Sequence, residues 1–130
     1  MNQKEPQIPN YFYDKFSPSG QRLMSARMWA ALSDEREKTK VFENPLFMLD
    51  VDGKQVKFYL FMWNDDAVFH DGHKMHISVM AQEIAKIYPA AVFKFHNRYF
   101  VLLANLPKTV TKHMLAFRNP IIDLAQFVEQ

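Results

Sequence analysis

The stretch from Leu46 to Trp63, LFMLDVDGKQVKFYLFMW, constrains the fold more than any other: two apolar segments joined by Asp52-Gly53. Both central residues of a type I′ turn need positive φ, and Asp and Gly tolerate it well, so the chain is expected to double back there into a hairpin. Folding about Asp52-Gly53 pairs Val51 with Lys54, Leu49 with Val56 and Phe47 with Phe58. One face then carries Phe47, Leu49, Val51, Val56, Phe58, Leu60 and Met62. The other is polar near the turn, at Asp50, Gln55 and Lys57, and aromatic further along, at Tyr59, Phe61 and Trp63. A strand apolar on both sides belongs inside a sheet or under a helix.

A chain of 130 residues, 48% apolar and 23% charged, predicts one globular domain with a core that needs no staples. Phenylalanine, at 12 copies, should dominate that core. The absence of cysteine excludes a disulfide framework, a thiolate metal site and a cysteine nucleophile, and fits a reducing compartment. No apolar run approaches the roughly 20 residues of a membrane helix, and MNQKEPQIPN lacks the apolar core of a signal peptide. The expectation is a cytoplasmic protein with no membrane partner. A formal charge of +2 falls short of a dedicated duplex-DNA binder.

Residues 1–17 read as an irregular arm that docks through Tyr11, Phe12, Tyr13 and Phe16, on its own domain or on a second copy. Residues 18–130 form the domain. Ser17-Pro18-Ser19 opens a predicted first helix with Leu23, Met24, Met28, Ala31 and Leu32 at helical spacing. The charge run SDEREKTK, 33–40, reads as a solvated helix tail or a link into the hairpin. From about Lys74 to Tyr88, the spacing of Ile77, Met80, Ala81, Ile84 and Ile87 predicts an amphipathic helix closed by Pro89. Residues 91–104 predict a second hairpin with Asn97-Arg98 at its tip. Its faces would be Phe93, Phe95, Phe100 and Leu102 on one side, and Val92, Lys94, His96, Tyr99, Val101 and Leu103 on the other. A short helix from about Thr109 to Phe117 follows, and Asn119-Pro120 would cap a last one. The fold class is α+β, in the order α-ββ-α-ββ-α-α, with a mainly antiparallel sheet of about four strands.

Chemistry is best sought at His70, Asp71, His73 and His76. Three imidazoles and a carboxylate suit zinc or another transition metal, and with His73 and His76 on one helix face the site would keep an open position for water. No established spacing such as H-E-x-x-H is matched. The competing reading has these residues flanking a helix start and facing solvent, with no cofactor. A second constellation is the row Lys57, Tyr59, Phe61 and Trp63, joined by Lys94, Arg98 and Tyr99 from the other hairpin. Aromatics with flanking cations on an open sheet stack single-stranded nucleic acid, each stack worth roughly 1–3 kcal/mol. Against this, a helix covering that face would make the row core. Only three glycines are present, so no phosphate-cradling loop can be written. Ser17, Ser19, Ser25, Ser33 and Ser78 lie in no nucleophile-elbow motif.

Leu49-Asp50-Val51-Asp52, a following helix and a hairpin ending FVLLA superficially resemble the palm-type core of the diguanylate cyclase family over residues 46–104. Where that family has a glycine-rich signature this chain has Phe95-His96-Asn97-Arg98-Tyr99-Phe100, so the resemblance implies at most a non-catalytic relative. Lys108, Lys112, His113 and Arg118 are too few to anchor a helix on a membrane, and read as a solvated face. The sequence thus points to a non-catalytic bacterial or phage accessory module that recognises a protein partner. The alternatives are a metal-dependent hydrolase or nuclease built on the histidines, and a single-stranded nucleic-acid binder.

Overall fold

The structure, a computed structural model, describes residues 29–123. The aromatic arm, the predicted first helix up to residue 28 and everything from residue 124 onward lie outside the described residues. The architecture is mixed, with more strand than helix: two antiparallel sheets and two short α-helices. In chain order the elements are β1 (Trp29–Leu32), β2 (Lys38–Lys40), β3 (Phe47–Val51), β4 (Lys54–Trp63), β5 (Met75–Ser78), α1 (Ala81–Ile87), β6 (Val92–Phe95), β7 (Arg98–Leu102), α2 (Lys108–Ala116) and β8 (Ile121–Asp123).

The first hairpin forms as expected. Asp52 and Gly53 take φ of 51° and 83°, and β3 pairs β4 through Phe47–Phe58, Leu49–Val56 and Val51–Lys54. Along its second half β4 pairs β2 and β5 instead. Its burial switches face accordingly. Val56 and Phe58 enter one core cluster with Trp29, Ala31, Ile84, Val101 and Met114, whereas Tyr59, Phe61 and Trp63 enter a second with Ala30, Leu32, Met80 and Phe100. Strand β1 lies between β7 and β8 and feeds both clusters by simple alternation.

Several expectations need correction. Trp29–Leu32 is a strand, not the end of a helix: it is buried on both faces, and a short all-apolar run carries no period to tell strand from helix. Residues 75–78 are a strand as well, because β4 needs a partner along residues 59–62; the helix shrinks to Ala81–Ile87. Tertiary pairing overrides the helical spacing there. The second hairpin turns at His96-Asn97, with φ of 52° and 62°, one residue earlier than predicted. Pairing therefore shifts by two, to Phe93–Phe100, and the two faces keep their membership.

Helix α2 ends with Arg118 at φ 58°, its N–H bonded to Leu115 O and that of Asn119 to Met114 O, a left-handed closure usually made by glycine. Asn119 does not cap a last helix. Its Nδ2 donates to Ile77 O and Met114 O, both at 3.0 Å, and the chain continues as β8 against β1. The predicted single sheet of about four strands is thus two sheets, because β1 and β8 join the second hairpin and β2 and β5 join the first.

Candidate functional site

Between the two sheets runs Ser33-Asp34-Glu35-Arg36-Glu37-Lys38, the segment expected to be solvated. Ser33, Asp34, Glu37 and Lys38 are all buried. A buried charge is costly unless paired, so what pairs these groups decides what the segment can do.

Asp34 is the hub. It caps the 3-10 turn Glu35–Glu37, Oδ1 accepting from Arg36 N at 2.9 Å and from Gln82 Nε2 at 2.9 Å. Its Oδ2 accepts from Arg36 Nη2 at 2.6 Å and from the Tyr99 N–H at 3.0 Å. Burial alone would raise the carboxyl pKa; the donors from Arg36, Gln82 and Tyr99 outweigh it and hold the group well below the usual carboxylate range. Gln82 closes the link to α1 by also accepting from Glu35 N at 3.0 Å. Arg36 reaches across to Asn97 O at 2.8 Å. Glu37 accepts from Val68 N at 3.1 Å and from Arg98 Nε at 2.5 Å. Asp34, Glu35, Arg36 and Glu37 thus tie the link between β1 and β2 to the second hairpin, to α1 and to the loop before β5.

Ser33 and Lys38 converge on the residues that lead into α1. The Ser33 carbonyl accepts from Ala81 N at 2.7 Å, and Lys38 Nζ donates to Val79 O at 2.9 Å. The Lys38 amine lies 4.3 Å from the centre of the Phe61 ring and 5.4 Å from that of Trp63. Burial pushes its pKa down to about 7, although the charge of Asp34 works in the other direction. An amine that is half neutral near pH 7 can accept a proton, which a solvated lysine cannot do there. The hydroxyls of Ser33 and Ser78 are buried without a hydrogen-bond partner. A buried serine hydroxyl and a buried amine of near-neutral pKa thus stand within one six-residue segment.

The residues singled out in the sequence are placed otherwise. His76 Nε2 lies 2.7 Å from Asp71 Oδ2 in a largely buried pair, while His73 Nε2 pairs with exposed Asp65 at 2.8 Å. The His70 and His73 rings are 5.4 Å apart, and His70 Nδ1 has no partner. His73 and His76 share no helix: the former is in a loop at φ 71° and the latter in β5. Among the described residues, no group of three or more His, Cys, Asp or Glu is placed to hold a metal ion.

Tyr59, Phe61 and Trp63 are core, so the face expected to stack bases is covered. Tyr59 donates to Glu83 Oε2 at 2.7 Å beneath it. Lys57 is exposed, Lys94 lies 5.4 Å from the Tyr99 ring centre, and Arg98 is committed to Glu37. The segment 33–38 was missed because its composition is that of a wet helix end. Its one local signal is an Asp placed to cap a turn directly after a buried apolar run.

Among the described residues no helix is long and apolar enough to cross a membrane. No curated protein and no solved structure matches the chain. Residues 33–93, just under half of the chain, begin at Ser33 and take in the segment Ser33–Lys38 and α1, but not the hub partners Asn97, Arg98 and Tyr99. Over this stretch the chain is similar to a peptidase family whose model is described as chaperone of endosialidase.

Proposed function

We propose that the protein is a phage or bacterial accessory module that recognises a protein partner and assists its folding or assembly. The observation that carries this reading is the match of residues 33–93 to the chaperone of endosialidase model, which starts at the polar hub joining the two sheets. The covered aromatic row and the separate histidine pairs favour a protein partner over nucleic acid or a metal-assisted substrate. The test is refolding of a urea-denatured endosialidase with an equimolar amount of this chain. A recovered yield clearly above that obtained with an equal mass of serum albumin is expected; equal yields would sink the proposal for that client class.

A second reading draws on Ser33 and Lys38. A fully buried hydroxyl can meet only peptide bonds of its own chain, so chemistry at Ser33 would be self-directed. Ser33 Oγ would attack a neighbouring carbonyl carbon, the neutral Lys38 amine taking its proton and passing it to the departing nitrogen; water then hydrolyses the ester. Intact-mass spectrometry of the purified chain checks this. Two fragments with masses summing to the chain plus one water are expected, formed faster as the pH rises through about 7 and absent in Ser33→Ala and Lys38→Met. A single uncleaved mass for the native chain at every pH would remove the reading and leave the chaperone proposal standing.

A further inference from the structure

A groove of about 190 Å³ lies between β4 and α1, lined by Gln55, Lys57, Glu83, Ile84, Lys86 and Ile87. The two isoleucines supply its apolar part, and the exposed Lys57 and Lys86 flank them from the strand and from the helix. Lys40 stands on the same sheet face as Lys57: it is paired with Phe61, and its Nζ lies 4.2 Å from the centre of the Tyr59 ring. Met48, opposite Lys57 and 52% exposed, extends the surface across β3. Among the described residues, none of these three lysines is in an ion pair. The elements β2, β3, β4 and α1 carry no acid besides Asp50 and Glu83. Each of those has one oxygen held within the fold, Glu83 Oε2 by the Tyr59 hydroxyl at 2.7 Å and Asp50 Oδ1 by the Gly53 N–H at 3.1 Å.

Two properties of the groove select its occupant. The unpaired lysines are complementary to carboxylates. The second oxygen of Glu83, Oε1, is buried without a hydrogen-bond partner and calls for a donor. An extended acidic polypeptide brings both, carboxylates on its side chains and N–H groups on its backbone, while alternate side chains are free to meet Ile84, Ile87 and Met48. The ends of this chain have the wrong charge for the site. Residues 1–28 carry Lys4, Lys15, Arg22 and Arg27 against Glu5 and Asp14, and residues 124–130 carry only Glu129. A second copy is disfavoured as well, because the chain bears a formal charge of +2.

We propose that the groove between β4 and α1 binds an extended acidic segment of another protein, its carboxylates paired with Lys57 and Lys86. The class of ligand rests on the protein-partner reading above; peptide binding and endosialidase refolding are measured separately, so either can fail alone. The probe is a fluorescein-labelled dodecapeptide in which glutamate alternates with valine and threonine, titrated with the full chain and followed by fluorescence anisotropy. Lys57→Glu combined with Lys86→Glu is expected to weaken binding at least about tenfold. Lys108→Glu combined with Lys112→Glu, on α2, changes the net charge equally and is expected to weaken it less than about twofold. All four lysines are exposed, so the substitutions leave the core untouched. The milder pair Lys57→Gln and Lys86→Gln is expected to cost about threefold in affinity. No binding by the native chain would overturn the proposal. Equal losses in the two reversed pairs would overturn it too, since binding would then follow net charge alone, as would equally tight binding of the same peptide with lysine in place of glutamate.

Discussion

The β3–β4 hairpin and the 33–38 segment lie side by side and are held by opposite means. In the hairpin the turn is local and the packing apolar: Phe47 and Phe58 stack at 4.9 Å with planes 6° apart, and Val56 and Phe58 are fully buried. In the 33–38 segment the partners are polar and distant. Asp34 bonds to Gln82 and Tyr99, Glu37 to Arg98 and Lys38 to Val79, at sequence separations of 41 to 65 residues. Apolar contact is non-directional and degrades gradually when a side chain is trimmed. A hydrogen-bonded hub fails differently, because removing one group orphans every partner it served.

Asp34→Ala sharpens that contrast most. It strips the acceptor from Arg36, from Gln82 and from the Tyr99 N–H at once, and should cost about 3–5 kcal/mol in urea unfolding. A loss under about 1 kcal/mol would mean that water replaces the hub freely and that the two regions do not differ as described.

Lys38→Met probes the same segment through pH. The folded-state pKa of about 7 lies below the ordinary 10.5, so between these values the unfolded chain holds the extra proton. Stability should therefore climb as pH rises from 7 towards 10, the penalty of burying the charged amine being fully present below 7. In Lys38→Met the slope disappears and the protein becomes more stable at pH 6. Parallel midpoint-versus-pH curves for the two proteins would show an amine that titrates as if solvated, and would also take away the proton acceptor assigned to Ser33.

The smallest effect belongs to the hairpin turn. Gly53 sits at φ +83° with no atom within 4 Å of where a Cβ would be, so Gly53→Ala meets only the backbone preference. About 1 kcal/mol of destabilisation is expected, read from the shift in thermal midpoint. No shift at all would indicate that the hairpin too is held from a distance, and would blur the contrast with residues 33–38.

The hairpin was legible because each step of its folding is written within 18 residues, Leu46 to Trp63. Turn chemistry at Asp52-Gly53 and alternation on both sides suffice to give its register. Helix α2 was legible for the same reason, with Pro107 before it and Val110 and Met114 one turn apart. Trp29–Leu32 was not, since WAAL suits a buried strand and a helix equally, and only β7 and β8 on either side make it a strand. The charged run 33–40 misled for a related reason. Nothing near Asp34 announces Gln82 or the Tyr99 N–H, and without them the residue belongs in water. The histidines erred the other way, close in sequence but sent to separate partners, Asp65 and Asp71, once residues 75–78 joined β4.

Residue order by itself determined the turn and register of the first hairpin and the two-sided apolar character of β4, because local dihedral preference and period-two burial act over a few positions. Which sheet each strand joins, which face of β4 is buried at each end, and that a lysine and a serine sit unsolvated beside Val79 and Ala81 were decided only by tertiary structure. Burial and hydrogen bonding are set by whatever the rest of the chain brings alongside, and for residues 33–38 that comes from more than thirty positions away.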